Sequence, residues 1–285
     1  MRNEPLNAYS LHQRPYQEKR SIYYMLTKEH GILHGIAKKG IPQFVPLMLF
    51  ATGKKSLKTL QQVNIVEAVP SLIGQQQYAA LYLNEITLKL LPVEDSMPVV
   101  YEQYSRTIRQ LQQPLSLDQL KLVLRIYEQV LFSELGFAID FEQDSEQAVI
   151  DKNQWYYFAP DRGWVKQSMT KAALDAQDAM IQDTTIQDAR TQEKGAFDSS
   201  DVETTDTVDI TQSEQDSEPS LYQRNPSAFM QQSPISGETI IAMQSGISPQ
   251  TINSWTDIHR QLIDHLFDYQ PLQSRILWQQ FYRYQ

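Results

Sequence analysis

The sequence contains no cysteine, which excludes disulfide bonds, thiolate zinc sites and catalysis by a cysteine nucleophile. None of its ten glycines falls into the GxGxxG or GxxxxGK[ST] motif of nucleotide-binding proteins, and no HExxH metal motif occurs. No apolar run approaches the ~18 residues that a membrane helix needs, and the first residues include no apolar leader segment. We therefore expect a soluble, cytoplasmic protein with no cofactor, no bound metal and no membrane partner.

Groups of residues that could support catalysis are also scarce. His30 and His34 are four residues apart, but they flank a predicted hairpin turn, where this spacing does not bring them onto one face. Asp257 with His259 and Asp264 with His265 could form acid–base pairs. On an amphipathic helix, however, we expect them at the solvated edge, and no GxSxG nucleophile motif accompanies them. We therefore expect no catalytic residue and a function that is not enzymatic.

Charge is divided sharply along the chain. The whole chain has a net charge of −9, whereas residues 1–60 contain ten basic and three acidic residues, a net charge of +7. Residues 170–220 contain thirteen acidic and three basic residues, a net charge of −10. This second segment has too few apolar residues to offset the entropy of an ordered chain. We predict a long acidic insert over 171–233, with disorder centred on 194–219.

The first seventy residues have the pattern of short β-strands. Apolar, aromatic and β-branched residues alternate over 22–27, and Gly31 supplies the positive φ of a tight hairpin turn. Further strand-like runs occupy 44–50 and 57–69. Five short strands in a segment of this length predict a Greek-key barrel of the OB type.

The basic and aromatic residues of this predicted barrel favour binding of a nucleic acid. Lysine and arginine neutralise phosphates, and aromatic rings stack on bases. The predicted DNA-binding residues are Arg14, Tyr16, Lys19, Arg20, Lys38 and Lys39. The basic residues would contact phosphates, and Tyr16 would be a stacking ring. The alternative is a solvated basic face on a barrel whose tyrosines belong to the core.

From residue 79 onward the apolar spacing becomes helical. Helices are predicted to end at Leu91-Pro92, to cover 97–111, and to begin at a capping box on Ser116 and end at Gly136. A β-hairpin is predicted over 154–167. Ser248 followed by Pro249 predicts the start of another helix, and a last helix is expected over 272–282.

The expected fold class is therefore α+β, with an OB barrel followed by a mostly helical domain that includes a small β-hairpin. The expected domains are an OB-fold DNA-binding domain (1–72), the first part of a helical domain ending in the hairpin (73–170), the acidic, largely disordered insert (171–233) and C-terminal helices that complete the helical domain (234–285).

Five local motifs, in order along the chain, resemble the RecO family of bacterial recombination mediators. They are YSLHQRPY at 9–16, TKEHG at 27–31, LYLNE at 81–85, RIYE at 125–128 with LGF at 135–137, and PLQSR at 271–275. The chain departs from the family pattern in its shorter loop after Gly40 and in Gln273, where a lysine is common. Because it has no cysteine, it resembles the zinc-free members.

The resemblance implies a mediator of DNA repair that binds single- and double-stranded DNA and anneals strands without nucleotide hydrolysis. It further implies that, with RecR, the protein loads RecA on strands coated by single-stranded DNA-binding protein (SSB). A pocket in the helical domain would hold the acidic C-terminal tail of SSB. Its candidate residues are Arg125, Arg260 and Arg275 for the carboxylates, with Tyr127 lining the cavity. Salt bridges between packed helices are the alternative role of these arginines.

Two other classes of function stay open. One is a protein-interaction adaptor whose barrel and helical groove bind proteins instead of DNA. The other is a hydrolase or nuclease that requires a metal. A further hypothesis is that the acidic insert folds back on the basic barrel, or imitates the SSB tail, and weakens DNA binding at low salt. A plain solvated tether is the simpler expectation. The implied location is the cytoplasm, in association with the nucleoid.

Overall fold

The computed structural model describes residues 4–167 and 233–283, and of residues 281–283 it describes the backbone alone. The acidic insert predicted over 171–233 therefore falls almost entirely outside the described residues. The strands are β1 (Leu6–Gln17), β2 (Arg20–Thr27), β3 (Gly31–Lys38), β4 (Leu47–Thr52), β5 (Leu57–Ile65), β6 (Trp155–Ala159), β7 (Gly163–Lys166) and β8 (Ile235–Ser236). The helices are α1 (Gly74–Leu90), α2 (Pro98–Leu111), α3 (Leu117–Glu134), α4 (Gly237–Met243), α5 (Ile252–Leu266) and α6 (Gln273–Arg283).

Strands β1 to β5 form a closed barrel in the order β1-β2-β3-β5-β4. All neighbours are antiparallel except β3 and β5, which are parallel. Alternate residues of each strand fill the interior, where Tyr23, Met25, Leu33 and Leu49 are buried. The α+β fold with an N-terminal OB-type barrel is confirmed.

The turn between β2 and β3 is held against the helical part of the chain. Gly31 has a φ of +62°, as the predicted hairpin requires. A Cβ atom at this position would lie 1.8 Å from the carbonyl oxygen of Asp95, so the segment before α2 packs directly on the turn. The Glu94 amide also donates to the Ile32 carbonyl at 2.9 Å.

Helices α1, α2 and α3 agree with the sequence pattern. The capping box at Ser116 is present: the Gln119 amide donates to the serine hydroxyl at 3.2 Å, and the Ser116 amide donates to the Gln119 side chain at 2.8 Å. Gly136 follows α3 with a φ of +85°, which suits a residue without Cβ at a helix end. Local signals therefore defined both ends of this helix.

The predicted β-hairpin is also present, and it belongs to a slightly larger sheet. Strands β6 and β7 pair around Gly163, and the two-residue strand β8 pairs with the other edge of β6. This links the segment before the acidic insert to the segment after it. Strand β8 could not be predicted from the sequence, because two residues are too short for a period-two pattern.

The helix start predicted at Ser248 and Pro249 is wrong. Helix α5 begins at Ile252, after Thr251. The Ser248 hydroxyl bonds the Thr251 hydroxyl at 3.0 Å, and the Thr251 amide donates to the Ser248 carbonyl at 3.1 Å. The serine is therefore used to close a turn, and its hydroxyl is not a helix cap.

The barrel and the helices share one apolar core. Tyr9, Leu11, Leu26 and Ile32 lie on the outside of the barrel and pack with the buried residues of α1, α2 and α3. The helical part therefore covers one end of the outer surface of β1, β2 and β3. None of the helices described here has the length and apolar content required to cross a membrane.

Candidate nucleic-acid interface

The uncovered end of the β1–β2–β3 outer surface contains most of the predicted DNA-binding residues. Successive residues of a strand point to opposite faces, and residues directly opposite each other on neighbouring strands share a face. Tyr23 and Met25 point into the barrel, so Ile22 and Tyr24 lie outside. The strand register then places residues of β1 and β3 on the same outer surface.

An aromatic row crosses this surface. Tyr24 of β2 lies opposite His12 of β1 and opposite His34 of β3. Its ring centroid is 5.6 Å from that of His12 and 4.6 Å from that of His34. On β5, Leu57 lies beside His34 and is exposed. We call these three rings the aromatic row (His12, Tyr24 and His34); no sequence pattern had indicated it.

Basic residues lie next to the aromatic row, on the side away from the helices. Arg14 lies opposite Ile22, one step beyond the aromatic row, and Arg20 lies opposite Lys38, a further step along the surface. Lys19 and Lys39 lie next to this last pair, and the Lys39 amide donates to the Lys19 carbonyl at 3.2 Å. All five side chains are exposed. We call them the basic cluster (Arg14, Lys19, Arg20, Lys38 and Lys39).

Among the residues that the structure describes, the basic cluster has no acidic partner. Within residues 4–167 and 233–280, no carboxylate forms an ion pair with any of its five members. By contrast, Lys28 pairs with Glu102 at 2.6 Å, and the buried Lys58 pairs with Glu94 at 2.8 Å. These two lysines are therefore already paired within the fold, although the sequence alone counts them with the basic segment.

Tyr16 lies in the same region but outside the aromatic row. It follows Pro15 at the end of β1, where the register with β2 shifts, and 51% of its surface is exposed.

His34, unlike the residues of the basic cluster, carries no charge at neutral pH. Partial burial and the nearby Arg14 cation lower the pKa of His34 below its usual value, so its ring is neutral at pH 7. The aromatic row is therefore a surface of rings at the edge of a group of cations.

A β-bulge positions the first member of the aromatic row. The register between β1 and β2 shifts between Ser10 and His12, which adds Leu11 as an extra residue. The Leu11 carbonyl accepts two side-chain hydrogen bonds, from Asn84 of α1 at 2.8 Å and from Gln43 at 2.7 Å. The bulge is thus held from the helical part and from the loop before β4.

Two cavities adjoin the surface. One, of about 360 Å³, lies between β1, α1 and α6, and His12 and Leu11 form its edge on the barrel side. The other, of about 460 Å³, is bordered by Lys38, Lys39 and residues of β5. None of the residues predicted for the SSB-tail pocket lines either cavity.

The structure places the four predicted tail-pocket residues in different surroundings. Tyr127 is fully buried, and its hydroxyl lies 2.5 Å from the Thr87 hydroxyl. Arg275 pairs with Asp264 at 2.5 Å, with both side chains about one-third exposed. Arg260 is exposed on α5. The fourth residue, Arg125, belongs to a buried cluster.

That cluster is centred on Glu128, for which the sequence analysis assigned no role. One carboxylate oxygen of Glu128 accepts from the Tyr82 hydroxyl at 2.5 Å and from Arg125 Nη2 at 2.6 Å. The other oxygen lies 2.8 Å from His259 Nδ1. The four residues, which we call the Glu128 cluster, connect α1, α3 and α5.

The protonation states within the Glu128 cluster follow from burial and charge. Burial acts to raise the pKa of Glu128, but Arg125, His259 and Tyr82 outweigh it and hold the pKa below its usual value. Burial lowers the pKa of His259. The expectation that His259 lies at a solvated helix edge is wrong, because it is fully buried. Its position four residues after Trp255 in the apolar stripe was the signal that could have revealed this.

Known proteins with similar sequences show the family to which the chain belongs. The family model described as "Recombination protein O C terminal" matches residues 74–179. The DNA repair protein RecO of Pseudoalteromonas atlantica is 34% identical over 179 residues, which cover 59% of this chain and 73% of that protein. The chain belongs to the RecO family. It is also similar to RecO of Alteromonas mediterranea (33% identity, 58% of this chain and 74% of the relative) and of Nitrosococcus oceani (30%, 56% and 68%).

Membership in the RecO family makes this a DNA repair protein. The LYLNE motif has a structural role here, because its Asn84 holds the β-bulge of the barrel and its Tyr82 joins the Glu128 cluster. In the part of the chain that the structure describes, no three His, Asp or Glu side chains are grouped in a way that could hold a metal ion.

Proposed function

We propose that this RecO-family protein is a recombination mediator that binds single- and double-stranded DNA on the outer surface of its barrel. The observation that supports this most directly is the basic cluster: five exposed cations at one end of β1, β2 and β3, with no carboxylate partner among the described residues. A cation without a protein partner is available to a phosphate, and its counterions are released when DNA binds.

Annealing needs no catalytic residue in this proposal. Two complementary strands repel each other through their phosphates, and a protein that neutralises phosphates of both lowers this repulsion. The protein would act without nucleotide hydrolysis, in the cytoplasm and in association with the nucleoid. With RecR as a partner, it would load RecA on single strands that SSB coats.

The helical domain is the proposed site for the acidic tail of SSB. Arg260 is exposed, and Arg275 forms a partly solvated pair with Asp264, so a carboxylate of the tail could replace the aspartate. Arg125 and Tyr127 lie deeper, and their part in the proposed site would be to shape the surface of α3.

The test is the salt dependence of single-strand binding. Each neutralised phosphate contributes a slope of about −0.7 in log K against log salt. Five contacts give about −3.5, a loss of affinity of about 130-fold between about 50 and 200 mM salt. In the variant Arg14→Glu/Lys38→Glu/Lys39→Glu, two cations remain, the slope falls to about −1.4, and the loss is about sevenfold.

A control variant shows whether the effect depends on where the charges are reversed or only on the change in net charge. Lys152→Glu/Arg162→Glu/Lys166→Glu changes the net charge equally at exposed positions of the small sheet and the turn before it, and it should keep the steep slope. Weak, salt-insensitive binding that the barrel variant leaves unchanged would overturn the proposal and favour the adaptor. Metal-dependent turnover of a nucleic acid would favour the nuclease.

A further inference from the structure

We propose that Tyr24 is the ring on which a base of single-stranded DNA stacks, and that this contact makes the barrel prefer a single strand to a duplex. The inference rests on the proposed function, since it assumes that DNA lies on the basic cluster. It differs from the sequence-based expectation, which named Tyr16 as the stacking ring.

The Tyr24 ring has a fixed orientation. The two imidazoles of the aromatic row hold it from both sides, with interplanar angles of 46° to His12 and 66° to His34. A ring that is already ordered loses little further freedom when a ligand stacks on it. Tyr16 lies at a strand end with about half of its surface exposed, so ordering it would cost more.

The cations on the same surface are spaced along the strands at steps that a bound single strand could follow. Two residues along a strand cover roughly 7 Å. Arg14 therefore lies one step of roughly 7 Å beyond the aromatic row, and the Arg20–Lys38 pair lies roughly 14 Å beyond it. A strand whose base lies on Tyr24 would have its following phosphates over these two groups of cations. The Tyr24 ring, Arg14 and the Arg20–Lys38 pair thus follow one another along the outer surface.

The side of the ring surface formed by His34 and Leu57 is uncharged at pH 7. His34 has a lowered pKa, caused by partial burial and by Arg14, so at pH 7 it adds no cation to the row. The exposed Leu57 extends the apolar surface beyond His34 on β5. Bases stack on such a surface, whereas phosphates do not. Because the bases of a duplex are stacked on each other, only an unpaired base can use it.

The experiment compares Tyr24→Leu with the matched control Tyr16→Leu. Three probes are used: a single strand of mixed sequence, a strand of equal length in which central nucleotides are abasic, and a duplex. Tyr24→Leu should weaken binding of the mixed strand by about 5- to 150-fold, the range expected for loss of one stacked base. Binding of the abasic strand and of the duplex should change by less than about twofold.

Conservative replacement and a spectroscopic signal distinguish stacking from a structural role. Tyr24→Phe keeps the ring and should bind the mixed strand like the wild type. A 2-aminopurine in the strand should be quenched by the wild type and Tyr24→Phe but not by Tyr24→Leu. Equal loss for all three probes, no loss at all, or a loss produced by Tyr16→Leu instead would overturn the inference.

A measurement on the unaltered protein covers the case in which Tyr24→Leu does not fold. A strand that contains 5-iododeoxyuridine is photo-crosslinked to the wild type, and the modified tryptic peptide is identified. The expected peptide is 21–28, in which Tyr23 is buried inside the barrel and Tyr24 is a half-buried ring on its outer surface. Crosslinking to the peptide with Tyr16 would refute the inference.

Failure of this inference can be told apart from failure of the proposed function. If the charge reversals flatten the salt dependence but Tyr24→Leu has no effect, DNA lies on the barrel without stacking on this ring. If neither changes binding, DNA does not lie on this surface, and the proposed function fails with the inference.

Discussion

Removal of the Glu128 carboxylate is the substitution with the largest expected effect on stability. In Glu128→Ala, the buried Arg125 loses its counter-ion, and the Tyr82 hydroxyl and His259 Nδ1 lose their hydrogen-bond partner. The Nε atom of Arg125 and Nε2 of His259 already have no partner in the described structure. The variant therefore leaves a buried charge and two buried polar groups unsatisfied.

The expected loss follows from burial of the pair. Both side chains of the Arg125–Glu128 pair are largely inaccessible, with exposures of 11% and 0%. Breaking a buried ion pair by removing one partner costs about 3–5 kcal/mol, a large part of the roughly 5–15 kcal/mol that stabilises a typical protein. Glu128→Gln keeps hydrogen-bonding atoms at the same place, so its loss should be smaller.

Urea unfolding at neutral pH measures this loss as a shift of the midpoint at constant m-value. Glu134→Ala is the matched control, because Glu134 lies on the same helix and is exposed; it should change stability by less than about 0.5 kcal/mol. A loss below about 1 kcal/mol for Glu128→Ala would refute the reasoning, since it would mean that Arg125 and His259 find other partners or water.

Two further predictions concern pH and the hairpin turn. Burial lowers the pKa of His259, so its neutral form contributes stability that is complete above about pH 6.5 and is lost as the pH falls. Urea midpoints of the wild type should therefore fall more between about pH 7.5 and 5.5 than those of His259→Gln. Equal falls in the two proteins would contradict this. Gly31→Ala should lower the melting temperature more than Gly136→Ala. Both glycines have positive φ, which costs about 1–2 kcal/mol for alanine, but only Gly31 would also place a Cβ against Asp95. Equal losses would show that the Asp95 segment moves away without cost.

The barrel could be predicted from the sequence because its signals are local. Alternation over 22–27 and a glycine at position 31 define a hairpin within one short segment, and the structure confirms both. Strand β8 and the start of α5 could not be predicted in the same way. The first depends on pairing with β6, about eighty residues away, and the second on a bond between the Ser248 and Thr251 side chains.

The basic cluster of the candidate site could be predicted from the sequence, whereas the aromatic row could be predicted only in part. The hairpin register could have placed His34 opposite Tyr24, since the turn pairs Thr27 with Gly31 and the pairing continues without a shift. It could not have placed His12, because a bulge changes the register between β1 and β2. Nor could the sequence separate Lys58, which is buried and paired, from the exposed Lys38.

The bulge also explains how one strand serves both the core and the candidate site. Before it, Tyr9 faces the helices; at the bulge, Leu11 is still packed against them; immediately after it, His12 joins the aromatic row. If the strand alternated regularly through Ser10, Leu11 and His12, His12 would point into the barrel; the bulge places it on the outer surface instead. Asn84 donates to the extra carbonyl from α1, so the helical part determines where the aromatic row begins. The LYLNE motif, whose Asn84 lies 73 residues after Leu11, is therefore tied to the geometry of the surface on which we propose that DNA binds.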